Sequence, residues 1–507
     1  MKNLTMKIFV GLFVVATVLL QSCKKDSETY SFLLNERGAF VEEPGGTTSL
    51  GFTAINISSV TPTTVPQGWS VTVDMNERRI SVTAPTTFPD DPKTLADGEE
   101  EEEENTNVRF GTVYLTGRSS GGSSVSTSLY VSLAETVDLT GQPSNCYIIN
   151  KSNARYCIDV TRKGEDTEAT MSPASVAILW ETPYKVIEFP KLVDGKAYFY
   201  HAIGTDDDEK EFFNHGNALL GAFDAAGNLL WSWHLWCAEF DPADEQVELG
   251  GEVMMKRNLG AGVVSGTSEE DILASYGVYY QWGRKDPFPG TTAFTIMNED
   301  YTYEVDGEPE VYDIDNRVLP KFGLTAEFHG TIEKSVQNPA VFYAMTYKHT
   351  GVEDEYGEEI VENDYKTGDW VDVSNDDYWG GESRKKTIYD PCPVGYKVPV
   401  CDADGNTPYA WLVYTAGKWD EANRGFEQEG QWFPTTGTRA YASGGLDYTE
   451  ANPYSGLWIG TKGKASDNLE LYPDLYGQYM FIIDSKRMLK VSKDKRSQGM
   501  SLRCVKE

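Results

Sequence analysis

The sequence predicts a mainly β chain with more than one domain, and three observations carry that expectation. From Tyr30 to about Ala134, short alternating or β-branched runs are separated by turn residues. Strand-like runs continue as far as Trp236, and only Glu269 to Gln281 and Tyr409 to Ala422 suit a helix. A length of 507 residues exceeds what one hydrophobic core organises, and a 12% aromatic share supplies material for several.

Residues 1–22 read as a secretory signal peptide. Lys2 and Lys7 precede the apolar run Ile8 to Leu20, which is too short to span a bilayer comfortably. The run ends in Leu20-Gln21-Ser22-Cys23, a lipobox-like sequence that makes Cys23 the lipidation site and residues 23–30 a polar tether. The membrane is reached by the lipid alone. The expected location is the outer membrane, lipid-anchored and facing outward.

The first domain is expected over 31–136 as an antiparallel sandwich. Its runs are Leu50 to Ile57, Trp69 to Asp74, Arg79 to Thr83, Gly111 to Gly117 and Val125 to Leu133, with Trp69 in the core. Residues 89–105 form an acidic loop whose consecutive glutamates 99–104 repel one another too strongly to pack.

A second β-rich domain is expected over 137–240. Cys146 to Ile149 and Tyr156 to Asp159 flank a polar turn, which reads as a hairpin that could bring Cys146 and Cys157 together as a disulfide. Asp224-Ala225-Ala226-Gly227-Asn228 turns a further hairpin into Trp231-Ser232-Trp233-His234-Leu235-Trp236. That stretch is either a stacking platform or, as favoured here, a strand buried on both faces.

The formal net charge is −34, from 78 acidic against 44 basic side chains. A surface this acidic repels phosphate chains, so nucleic-acid partners are excluded. Beyond Cys23 the cysteines are Cys146, Cys157, Cys237, Cys392, Cys401 and Cys504, and their full pairing is left open by sequence alone. No Cys/His pair has zinc spacing. Asp402, Asp404 and Asn406 alternate before a turn in the manner of a calcium loop, without the distal glutamate, and are the metal candidates. No other cofactor is expected.

Residues 241–507 carry motifs that resemble a known family. They are Met254-Met255-Lys256-Arg257-Asn258-Leu259-Gly260, Gly277 to Arg284, Asp390 to Pro399, Phe426 to Arg439, Gly456 to Gly460 and Leu502-Arg503-Cys504-Val505-Lys506. In order, they resemble the Fibrobacter succinogenes major paralogous (FISUMP) domain, with Met254 and Tyr396 where that family has Trp. The resemblance implies an α+β C-type-lectin-like module with a Cys392–Cys504 disulfide. The segments Pro66 to Val71 and Gly111 to Gly117 resemble the immunoglobulin-like BACON domains of Bacteroides surface proteins. The whole arrangement is similar to fimbrillin-family surface lipoproteins of that group.

These resemblances imply adhesion, with a glycan or another host or extracellular ligand as partner. A fimbrial tip or accessory subunit is the alternative, with fimbrial subunits as partners. An extracellular polymer-acting enzyme is a second alternative, but no G-x-S-x-G elbow is present and no carboxylate pair is singled out. No catalytic residue is nominated and no enzymatic activity is expected. The ligand-contact candidates are Trp282, Trp379, Trp419, Trp432 and Trp458, chosen as tryptophans in a loop-rich module.

Overall fold

The computed structural model describes residues 29–89, 106–205, 210–249, 251–291 and, with interruptions, 311–507. The signal peptide, Cys23, most of the acidic loop and most of the insertion at 299–315 lie outside the described residues. The chain divides into two compact units: one of 1–138, 153–157 and 198–200, and one of 139–152, 158–197 and 201–507.

The first unit is a sandwich of two four-stranded sheets. Its strands are β1 (Ser31–Leu34), β2 (Gly38–Val41), β3 (Thr47–Ile55), β4 (Ser59–Thr64), β5 (Ser70–Asp74), β6 (Arg79–Thr83), β7 (Phe110–Arg118) and β8 (Ser124–Leu133). One sheet has the order β1-β3-β6-β5, the other β2-β8-β7-β4. Alternation explains the core: Leu50, Phe52, Ile80 and Val82 from one sheet meet Val113, Leu115, Leu129 and Val131 from the other. The five expected runs are all strands, and Trp69 is buried with Nε1 donating to the Val108 carbonyl at 2.8 Å. β4 escapes the sequence reading because Pro62 interrupts it. An edge strand tolerates that proline, and the register shifts beside it.

The second unit is built around a six-stranded sheet. Its order is Cys146–Ile149, Leu229–Cys237, Gly216–Phe223, Ser175–Thr182, Val311–Tyr312, Val318–Leu319. Gly216–Phe223 and Leu229–Cys237 form the expected hairpin. Its turn is closed by Asp224, whose Oδ1 accepts from the backbone N–H groups of Ala226 and Asn228. Every residue from Trp231 to Trp236 is at most 2% exposed, so the strand is packed on both faces.

Two expectations need correction. Cys146–Ile149 pairs in parallel with Leu229–Cys237, while Arg155 to Cys157 pair in parallel with Thr136 to Asp138. The two runs therefore do not form a hairpin, and Cys146 and Cys157 are buried thiols that no disulfide joins. Nor does a boundary fall at 240. Cys146, Trp236 and Phe240 share one core with Met255, Tyr280, Trp282, Cys392 and Cys504.

Helix is scarce among the described residues, which hold two α-helices of six residues each, Glu269–Ala274 and Ile332–Gln337. The first starts where expected, capped by Ser268 accepting from the Asp271 N–H, but stops well short of Gln281. Gly277 at φ 77° turns the chain away, and Tyr280–Gln281 becomes strand. Of the second expected helix, 409–418 lies outside the described residues and Trp419–Asp420 is strand. The fold is mainly β.

Candidate functional site

A module with this much loop leaves many backbone carbonyls without ladder partners, and buried arginines supply them. Arg284 donates to the carbonyls of Val341 (2.7 Å), Pro339 (2.7 Å) and Asn338 (3.2 Å). Arg439 donates to Pro289 (2.8 Å) and Gly444 (2.9 Å). Arg503 donates to Asn258 Oδ1, Gln431 Oε1 and the Trp432 carbonyl, the last at 2.8 Å. Arg496 pairs with Asp369 at 3.2 Å and with Asp376, and lies 4.0 Å from the Trp282 ring centroid. Arg284, Arg439, Arg503, Asn258 and Trp282 all belong to the sequence motifs. Those motifs form the scaffold, which the Cys392–Cys504 disulfide ties together.

Three of the five nominated tryptophans are scaffold as well. Trp282, Trp379 and Trp458 are at most 1% exposed, so a ligand cannot reach them without unfolding the core. The indole of Trp282 donates to the Ile459 carbonyl and that of Trp458 to the Tyr280 carbonyl, each at 2.8 Å. Trp419 is half-buried and packs on Phe426, with ring centroids 5.1 Å apart.

Trp432 differs from the other four. It lies in a small sheet of Trp419–Asp420, Gly425–Gln428 and Gln431–Pro434. Glu429 and Gly430, at φ 49° and 75°, make the two-residue primed turn that the strand twist favours. Trp419, Phe426 and Phe433 share the inward face by register. Alternation then places Asp420, Gly425, Glu427, Trp432 and Pro434 on the outward face. Gly425 leaves room for the indole: a Cβ there would come within 2.4 Å of Trp432 Cζ2. The residue is half-buried, and its six-membered ring crosses over Gly425 on the outward side of its own hairpin. Sequence reading named Trp432 but missed Gly425 and Glu427, although alternation around Glu429-Gly430 marks all three.

Two buried polar clusters imitate catalytic groupings. Cys146 Sγ is 3.6 Å from His234 Nδ1, and His234 Nε2 is 2.8 Å from Asn217 Oδ1. Asn217 Nδ2 donates to the Gly260 carbonyl, which fixes the amide, so Nε2 carries the imidazole proton and Nδ1 accepts from the Tyr280 hydroxyl. Burial pushes the His234 imidazole down to about 3 and the Cys146 thiol up. A nucleophilic pair needs the opposite shifts, so both groups are held neutral. In the second cluster Lys285 Nζ donates to Ser232 Oγ (2.7 Å) and Asp286 Oδ1 (2.6 Å), and burial pushes the lysine down to about 8. Ser232 and its two partners are at most 2% exposed. Both clusters lock the buried strand to the loops across it.

Asp402, Asp404 and Asn406 close a turn. Asp402 Oδ1 accepts from the backbone of Asp404 (2.9 Å) and Asn406 (2.8 Å), and Oδ2 from Asn406 Nδ2 (2.8 Å). Asp224 and Asn228 repeat this pattern at the tip of the hairpin. Among the described residues no group of three or more His, Cys, Asp or Glu is placed to hold a metal. A surface cleft of about 460 Å³ is lined by Pro143, Glu165, Val394, Gly395, Lys506 and Glu507. Beside it, Lys386 is spent on Glu165 at 2.6 Å, Glu507 at 3.5 Å and the Pro393 carbonyl.

The fold and site together define a mainly β protein whose second unit is a loop module braced by arginines and carrying the Trp432 indole on the outward face of a hairpin. No protein-family model and no curated protein matches the chain. Solved structures with local similarity include the human desmocollin-1 ectodomain, 12% identical over 42% of this chain and 41% of that one, with a TM-score of 0.15. Another is the Bacteroides ovatus mixed-linkage glucan utilization locus protein SGBP-B in complex with a heptasaccharide, 12% identical over 40% and 43%, with a TM-score of 0.12. The protocadherin gamma B7 ectodomain is 10% identical over 41% and 50%, with a TM-score of 0.15. The chain thus spans half or less of each, and scores this low establish no shared fold.

Proposed function

We propose that this protein is an extracellular binding protein, lipid-anchored through Cys23, that holds a glycan on the outward face of the Gly425–Pro434 hairpin. On this reading the sandwich is a spacer and the second unit, lectin-like in the resemblance of its motifs, presents the site without catalysing a reaction. The observation that carries it is the position of Trp432. A rigid indole lying over a glycine on the outward face of a hairpin offers a surface on which a sugar ring can stack. The hairpin beneath it is fixed by the primed turn and by Arg503. The test is binding of the fragment 31–507 to a glycan and mucin array, with calcium and again with EDTA. Binding that persists in EDTA agrees with stacking on Trp432; binding that requires calcium would move the site to the Asp402 turn; no binding in either condition would refute the reading.

A further inference from the structure

We propose that Glu427 and Asp420 set the class of glycan this site accepts, admitting uncharged saccharides and turning away sialylated or sulfated ones. The inference rests on the reading of Trp432 as the contact residue.

Three features of the hairpin carry it. First, Glu427 is directly opposite Trp432 in the antiparallel register, so its carboxylate and the indole rise from the same face. Cβ atoms so paired are about 5 Å apart. Secondly, the indole runs diagonally over Gly425, and Asp420 is the residue opposite Gly425 on the next strand. Register therefore sets one acidic residue beside the root of the ring and another beyond the glycine that its far edge crosses.

Thirdly, both acids are held in place. Glu427 Oε1 accepts from the Gly430 N–H at 3.0 Å, and Asp420 accepts from the Asn423 backbone at 3.1 Å and its side chain at 2.7 Å. A carboxylate has about four acceptor positions in all, so each can also accept from a sugar hydroxyl.

A pyranose stacked on this indole would present its hydroxyls to two acceptors. A sialic acid carboxylate or a sulfate in the same place would meet two like charges on a chain whose net charge is already −34. One like charge at about 5 Å in a water-like dielectric weakens binding about fourfold, and salt reduces the effect.

The test uses matched glycan pairs, each neutral chain beside its sialylated or sulfated form, against the wild-type chain, Glu427→Gln and Trp432→Ala at low and high salt. The Gln variant keeps an acceptor for the Gly430 N–H. Wild type should favour the neutral member by about fourfold or more. Glu427→Gln should shrink that ratio by about fourfold, high salt should shrink it too, and Trp432→Ala should lose both members of each pair. Asp420→Asn repeats the test from the far side of Gly425.

Equal or tighter binding of the anionic member, or a ratio unmoved by Glu427→Gln, Asp420→Asn and salt, would overturn the inference while leaving Trp432 as the contact. Binding that survives Trp432→Ala, or no binding of any probe, would overturn both the inference and the reading beneath it.

Discussion

Arg503 donates from Nη2 to the backbone oxygen of Trp432 at 2.8 Å, so the outward indole is anchored by a guanidinium less than 2% exposed. The same side chain donates to Asn258 Oδ1 and Gln431 Oε1 and lies 4.6 Å from the Phe433 ring centroid. Asn258, Gln431 and the Trp432 carbonyl are neutral, so what the guanidinium supplies to them is the fork geometry that joins the Asn258 loop to the Gln431–Pro434 strand. Lysine cannot reproduce that fork. Arg503→Lys should lower the unfolding free energy by about 2 kcal/mol and Arg503→Met by more, as buried acceptors lose their donors. Guanidinium denaturation checks this. A midpoint unchanged in both variants would mean that the carbonyls find other partners.

The disulfide neighbouring Arg503 closes a separation of 112 residues, which in the chain-entropy model is worth about 4 to 5 kcal/mol. The paired substitution Cys392→Ser with Cys504→Ser should remove most of that from the second unit. Both sulfurs are buried, so dithiothreitol alone should act slowly on the native protein and quickly once denaturant opens it. Rapid reduction without denaturant would contradict the burial.

His234 makes stability depend on acid. Its imidazole is held down to about 3 by burial, against 6.5 unfolded, so below pH 6.5 the unfolded chain binds the extra proton. Stability due to this group is complete above 6.5 and is lost toward pH 3, at up to about 1.4 kcal/mol per pH unit. His234→Gln should flatten the difference in unfolding free energy between pH 6.5 and 4. Parallel curves for the two proteins would show that the imidazole titrates normally.

The repeated Asp-Ala-x-Gly-Asn turn gives an expectation for metal. Asp402 directs its oxygens at its own turn, as Asp224 does. Millimolar calcium should therefore leave the thermal midpoint in place, and Asp402→Ala should cost about 0.5 to 1 kcal/mol through the lost turn bonds. A calcium-dependent rise in the midpoint that Asp402→Ala removes would establish a site there.

How much of this was legible depended on how local each signal is. Alternation located β3, β5, β6, β7 and β8, and the turn residues Asp224 to Asn228 located the hairpin before Trp231. Both are properties of a few adjacent residues. The parallel pairing of Cys146–Ile149 with Leu229–Cys237 joins strands more than 80 positions apart, and no local pattern reports it. The Cys146–Cys157 disulfide and the boundary at 240 failed for that reason.

The motifs around Arg257, Arg284, Arg439 and Arg503 were conspicuous as sequence, yet they mark the bracing of loops. The site beside them was half visible: tryptophan drew attention to position 432, while Gly425 and Glu427, marked only by alternation, gain their meaning once register sets them beside it. Trp282, Trp379 and Trp458 were nominated by residue type, and burial removed them.

Whether Trp432 is the ligand contact is tested most sharply by comparing Trp432→Ala with Trp458→Ala in glycan binding and in stability. Trp432→Ala should abolish binding at a cost of about 1 kcal/mol or less in unfolding free energy, since the residue is only half-buried. Trp458→Ala should destabilise by about 3 to 5 kcal/mol while its remaining folded fraction still binds. Undiminished binding by folded Trp432→Ala would contradict the account.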